Sequence, residues 1–134
     1  MCLAIYIASN IQLSPIPWIE DKPSFYVTEL PKNEYEVKKQ FALKYVYYVG
    51  SHEGCGCGFF KEGETGKELS KVEENYDNLH QYILNARENG AIIELFSCWE
   101  GDQSSKPENN EKIHQSTLRE EQFEFKEKWH YEII

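Results

Sequence analysis

A long amphipathic helix is the feature that most limits how this chain can fold. Six apolar residues recur at spacings of three and four, which places them in one stripe along a helix. They are Leu69, Val72, Tyr76, Leu79, Ile83 and Ala86. Two capping boxes, starting at Thr65 and at Ser70, fit its beginning, and Gly90 provides the left-handed conformation that ends many helices. We therefore expect a helix over about residues 66–89, with an apolar stripe that needs a surface to pack on.

Four short runs rich in β-branched, aromatic and other apolar residues predict that this surface is a β-sheet. They lie at residues 2–8, 25–28, 44–49 and 91–99. The first run is apolar on both alternating faces, which is typical of a strand inside a sheet. After Phe123, apolar residues keep an odd-numbered register, which predicts a last strand or a tight hairpin. We predict an α+β fold: a single mixed, mainly antiparallel sheet with the long helix packed on one face.

Length and charge narrow the possible partners. The chain of 134 residues suits a single domain, residues 1–134, with a buried core. Its formal net charge is -9, whereas nucleic-acid binding needs a basic face and anionic headgroups repel a negative protein. We therefore expect neither nucleic acid nor a membrane as partner. No basic residue precedes the short apolar stretch at the N-terminus, so we expect a cytoplasmic protein with reduced thiols.

The segment His52–Gly58 (His-Glu-Gly-Cys-Gly-Cys-Gly), which we call the thiol loop, is the most chemically distinctive part of the chain. It follows a predicted strand directly, and we expect Gly58-Phe59-Phe60 to continue as the second strand of a hairpin. The glycine spacing matches neither the P-loop nor the dinucleotide-binding fingerprint. The sequence therefore gives little support for phosphate binding.

A soft-metal site is the first hypothesis for the thiol loop. Cys55 and Cys57 are two residues apart, and His52 precedes Cys55 by three. Cys98, at the end of a predicted strand, would complete the Cys₃His set that zinc favours. Cys2, in the first strand, is an alternative fourth donor. This hypothesis requires the strands that carry these residues to end close together.

A thiol-dependent redox enzyme is the second hypothesis. One of Cys55 and Cys57 would attack as a thiolate and the other would resolve the mixed disulfide, with His52 lowering the first pKa. The Cys-x-Cys spacing differs from the usual Cys-x-x-Cys, and no helix begins at the thiols to stabilise a thiolate.

A packing role is the third hypothesis, because cysteine is often buried as a small apolar residue. In that case the segment serves a structural or protein-interaction domain, and the glycines leave room for neighbouring aromatic rings.

Our leading hypothesis is a small soluble binding or accessory domain in which the thiol loop contacts a small ligand or a protein partner.

Overall fold

The computed structural model describes residues 2–134 and has one six-stranded sheet with helices on both faces. The strands are β1 (Leu3–Ser9), β2 (Tyr26–Glu29), β3 (Tyr45–Gly50), β4 (Ile93–Trp99), β5 (Asn109–Ile113) and β6 (Trp129–Ile133). The α-helix is α1 (Gly66–Glu88), and 3₁₀ helices span Lys32–Gln40, Gly56–Phe59 and Gln115–Arg119. The strand order is β2-β3-β1-β4-β6-β5, and neighbours are antiparallel except for the parallel pair β5 and β6. The predicted α+β fold with a single mixed, mainly antiparallel sheet is confirmed.

Strand β1 lies inside the sheet, between β3 and β4, and all seven of its residues are buried. Its odd-numbered residues, such as Ile5, face α1 and join the larger core cluster. The helix contributes Val72, Tyr76, Leu79 and Ile83 to that cluster, all from the predicted stripe. We call this side of the sheet the odd face. The apolar periodicity of the helix therefore determined which side of it is buried.

The opposite side of the sheet, the even face, has its own smaller core. Ala4 and Tyr6 of β1 pack there with Tyr48 of β3 and with Val37 of the 3₁₀ helix Lys32–Gln40. Val37 is fully buried, so this 3₁₀ helix covers the even face as α1 covers the odd face.

Helix α1 has nearly the predicted bounds. Thr65 precedes its first residue with extended backbone dihedrals but makes no side-chain cap hydrogen bond. At the other end Gly90 has a φ of 91°, and the Ala91 N–H bonds to the Ala86 carbonyl, so the helix stops where predicted. Within residues 2–134, no helix combines the length and the apolar character needed to cross a membrane.

Two local predictions were wrong. Gly58-Phe59-Phe60 does not continue as a hairpin strand, because Gly56–Phe59 turns as a 3₁₀ helix. This turn buries Phe59 on the odd face, with its ring edge-on to Tyr76 at 5.0 Å. The last strand is only β6, while Phe123 and Phe125 pack as irregular chain against Tyr76.

Candidate functional site

Three thiols converge at one end of the sheet. The Sγ atoms of Cys2, Cys55 and Cys57 all lie within 4.8 Å of one another. Cys2 comes directly before β1, and its carbonyl accepts a hydrogen bond from the Glu100 N–H at 2.7 Å. Because β3 ends at Gly50 beside the start of β1, the thiol loop begins next to Cys2. The site therefore joins the residue that precedes β1 to two residues of the loop.

Ser51, the residue before the thiol loop, holds the loop closed. Its hydroxyl donates to the Cys55 carbonyl at 2.5 Å and accepts from the Gly58 N–H at 3.0 Å. Its N–H also bonds to the Cys55 carbonyl, at 3.0 Å. Ser51 is fully buried, so these bonds form away from water and fix the turn that carries both thiols.

Gly56 brings the loop against the sheet. A Cβ at this position would lie 2.4 Å from the Leu3 carbonyl oxygen and 3.4 Å from the Ala4 Cα. Only glycine allows so close an approach of two backbones. Since Cys55 and Cys57 flank this contact, the approach places their thiols beside Cys2.

Side chains from both faces of the sheet hold the carbonyls of the loop. The Tyr26 hydroxyl donates to the Gly54 carbonyl at 2.7 Å, and the Asn75 side-chain amide donates to the Gly58 carbonyl at 3.0 Å. Asn75 lies on α1 and is almost fully buried. The loop is thus fixed by β2 and by α1, although neither element contributes a thiol.

His52 lies outside the thiol cluster. Asn75 Nδ2 donates to His52 Nδ1 at 2.8 Å, which leaves the ring proton on Nε2, 3.2 Å from a Glu53 carboxylate oxygen. His52, Glu53 and Glu68 have their donor atoms within 4.8 Å of one another and form a separate, more exposed group. The structure therefore does not bring His52 together with the three thiols.

Cys98 is also separate from the cluster. It pairs with Ala4 across β1 and β4 and is fully buried in the core of the even face. Burial, with smaller contributions from the charges of Glu100 and Asp102, raises the pKa of its thiol to about 12. Of the four predicted ligands the structure brings together Cys55 and Cys57, and the third sulfur is that of Cys2, the alternative donor.

The surroundings of Cys55 favour the protonated form of its thiol when no cation is near. The pKa of Cys55 is raised to about 12, mainly by burial; the Cys57 N–H lowers it, and the neighbouring Cys57 and Cys2 thiols contribute to the rise. That N–H donates to Cys55 Sγ at 3.4 Å. A bound cation would counter the desolvation and the repulsion together.

Sequence reasoning missed Ser51, Asn75 and Tyr26, which position the loop. Their side chains act on carbonyls and amides, and a sequence motif records no backbone partners. Serine directly after a strand and before a glycine-rich turn is the one local signal, because serine often bonds to nearby backbone in turns.

No protein-family model, no curated protein and no solved structure matches the chain. What can be said of function therefore depends on the arrangement of the side chains alone.

Proposed function

We propose that this protein binds a soft metal ion, Zn²⁺ or Cu⁺, through the thiolates of Cys2, Cys55 and Cys57. The observation that carries the proposal is the convergence of three sulfurs within 4.8 Å. Zinc–sulfur bonds are about 2.3 Å long, so two sulfurs on one ion lie at most about 4.6 Å apart. Small side-chain rotations suffice to close the set around an ion.

The support of the loop favours metal binding over a packing role. Cys55 and Cys57 are only half-buried, and Cys2 is exposed, whereas packing cysteines are usually sealed in the core. The N–H of Cys57 donates to Cys55 Sγ, and such outer hydrogen bonds orient metal ligands. Hydrogen bonds therefore hold the loop in place although its thiols are not part of the buried core.

The raised pKa of Cys55 favours a metal site over the thiol redox enzyme. A nucleophilic cysteine works as a thiolate and typically has a lowered pKa, but the pKa of Cys55 is about 12. A metal ion displaces the proton itself and needs no preformed thiolate.

Within residues 2–134, no fourth Cys, His, Asp or Glu donor belongs to the group, so the ion would keep one position open for a small ligand or a partner's donor. We infer a reducing compartment such as the cytoplasm, where these thiols stay available.

Metal content and affinity test the proposal. The protein is purified without chelator under reducing, oxygen-free conditions, and its metal content is measured by mass spectrometry. Zn²⁺ and Cu⁺ are then titrated in competition with chromophoric chelators. We expect one ion per chain, and an affinity at least about a hundredfold weaker for Cys55→Ser and for Cys2→Ser, since each change removes a direct ligand.

Two variants serve as matched controls. Cys98→Ala removes the thiol outside the cluster, and His52→Ala removes the histidine that the sequence suggested as a ligand. Both should bind within about twofold of the original protein, which is below 1 kcal/mol. Affinity that depends on Cys98 or His52 would replace the three-thiol set by the ligands predicted from sequence. Affinity that none of the cysteine variants changes would refute a thiolate site altogether.

A further inference from the structure

Glu94 of β4 and His130 of β6 form a buried pair on the even face, away from the thiols. His130 Nε2 lies 2.7 Å from Glu94 Oε2, and each side chain is only 9% exposed. The other oxygen of Glu94, Oε1, accepts hydrogen bonds from the N–H groups of Ala42 and Leu43, both at 3.1 Å. The carboxylate is therefore fixed by the backbone and in turn orients the imidazole.

The second ring nitrogen of His130, Nδ1, is free. An ionised carboxylate only accepts hydrogen bonds, so Nε2 is the protonated nitrogen and Nδ1 carries the lone pair of the neutral ring. In the part of the chain that the structure describes, Nδ1 has no hydrogen-bond partner. Every sealed side-chain nitrogen or oxygen there has one, so Nδ1 borders open space. A buried and oriented imidazole therefore presents its basic nitrogen outwards.

The open space beside this imidazole is a cavity of about 340 Å³. Its lining comprises His130 and Glu132 of β6 with Asn110, Glu111 and Lys112 of β5. Asn110 lies directly opposite His130 in the parallel register of the two strands. Lys112 follows two residues later on the same face and has no salt bridge within residues 2–134. The cavity thus combines one basic nitrogen with two side-chain N–H donors.

We propose that this cavity is a site for the hydrolysis of small carboxylic esters, with His130 as general base and Glu94 as positioning residue. No serine, threonine or cysteine is among the described residues that line it, so water is the nucleophile. His130 Nδ1 takes a proton as the water oxygen bonds to the ester carbonyl carbon, and Asn110 and Lys112 donate to the developing oxyanion. The bond from this carbon to the alkoxy oxygen then breaks, and the imidazolium gives its proton to the leaving oxygen. The products are a carboxylic acid and an alcohol, and the reaction needs neither the thiols nor a metal.

Turnover of 4-nitrophenyl acetate by metal-free, reduced protein tests the proposal. This ester is uncharged, which suits a cavity where Glu111 and Glu132 would repel an anionic one. Release of 4-nitrophenolate is followed over many turnovers per chain, because acylation of a cysteine releases only one product molecule per thiol. We expect kcat/KM to exceed the rate constant of free imidazole at the same pH by at least about a hundredfold. Because no metal is present, the result is independent of the thiolate site.

Two variants of the buried pair separate catalysis from stability. His130→Gln removes the basic nitrogen but keeps an N–H donor for Glu94, and kcat should fall at least about a hundredfold. Glu94→Gln turns its amide N–H towards His130 Nε2, which moves the ring proton to Nδ1. We expect a fall in kcat of similar size with little change in KM. Long-range ¹H–¹⁵N NMR of the imidazole detects this change of tautomer, which a merely structural role of Glu94 would not produce.

Asn110→Ala and His114→Ala complete the test. Asn110→Ala removes one donor to the oxyanion and should lower kcat about tenfold. His114→Ala removes an exposed imidazole that does not line the cavity and should leave kcat within about twofold. Turnover no faster than that by free imidazole, or full activity of His130→Gln, would overturn the proposal. So would a Glu94→Gln variant in which neither the tautomer nor the rate changes.

Discussion

Cys55 and Cys98 carry the same functional group with nearly the same acidity but lie in different surroundings. Burial is the main cause that raises the pKa of each thiol to about 12. Cys55 is half-buried in a group of three sulfurs, whereas Cys98 is fully buried in the core and belongs to no such group within residues 2–134. A raised pKa or burial alone therefore does not distinguish a candidate site from packing. What distinguishes the candidate site is the convergence of three donors on a loop held in place by hydrogen bonds. Substitutions of the residues that hold this loop test that distinction.

The largest effect should come from Gly56→Ala. The new Cβ would lie 2.4 Å from the Leu3 carbonyl oxygen, so the loop has to move away from β1 and its two thiols move away from Cys2. We expect a loss of soft-metal affinity of about a hundredfold, or ~3 kcal/mol. Overpacking should also lower the free energy of unfolding by about 1–3 kcal/mol. Chelator competition and urea unfolding measure the two quantities.

Gly63→Ala is the matched control for this prediction. Gly63 has a φ of 80°, and a Cβ there would meet no atom within 4 Å. The strain should cost about 1 kcal/mol of stability and leave metal affinity unchanged. Equal losses of affinity in both variants would mean that general destabilisation, and not the approach of the loop to β1, controls the site.

Ser51→Ala should have the next largest effect. The change leaves the Gly58 N–H without its partner and takes one of two hydrogen bonds from the Cys55 carbonyl. We expect a loss of about 2 kcal/mol of stability for the buried group and about tenfold weaker metal binding, as for other residues that orient ligands. Ser9→Ala is a close control, because Ser9 is equally buried and, within residues 2–134, its hydroxyl bonds only to the Ile11 N–H. If Ser9→Ala reduces metal affinity as much, Ser51 has no special role.

Cys2 and Cys98 show how much of the fold and of the site could be predicted from the sequence. The periodicity of α1 and the two-sided apolar run of β1 were sufficient for the fold, because each pattern lies within one element. The ligand set depended on contacts between elements: nothing local places Cys2, rather than Cys98, beside the loop. The same holds for the buried pair in which a His130 ring nitrogen lies 2.7 Å from Glu94, since only the register of β4 and β6 brings the two side chains together.

The pH dependence of stability separates the two kinds of thiol. The Cys98 pKa rises from 9.0 to about 12 on folding, so the folded protein holds this proton more tightly than the unfolded chain. Its contribution to stability is therefore complete below about pH 9 and falls as the pH rises towards 12. In urea unfolding from about pH 8 to 10.5, the stability of the original protein should fall relative to that of Cys98→Ala. A difference independent of pH would show that the Cys98 thiol does not titrate as a buried group.

Metal should change this pH profile at Cys55 and not at Cys98. Without metal, Cys55 contributes with the same sign, because its pKa is also raised. A bound ion replaces the Cys55 proton, so the contribution of Cys55 to the loss of stability above about pH 9 should disappear. The contribution of Cys98 should remain. If metal leaves the profile unchanged in both the original protein and Cys98→Ala, the ion is not held by Cys55.

The smallest effect should come from Tyr26→Phe, which removes one hydroxyl that supports the loop from β2. The ring stays and still fills the space over Gly50, where a Cβ would lie 2.0 Å from it. The hydrogen bond to the Gly54 carbonyl is lost, which should cost about 1 kcal/mol of stability and about threefold in metal affinity. Tyr82→Phe removes a similar bond, from its hydroxyl to the Ser14 carbonyl at 2.6 Å, on the odd face and away from the thiols. Because both variants lose one neutral hydrogen bond, a drop in affinity confined to Tyr26→Phe would mean that the rigidity of the loop, beyond global stability, sets how tightly the three sulfurs hold an ion.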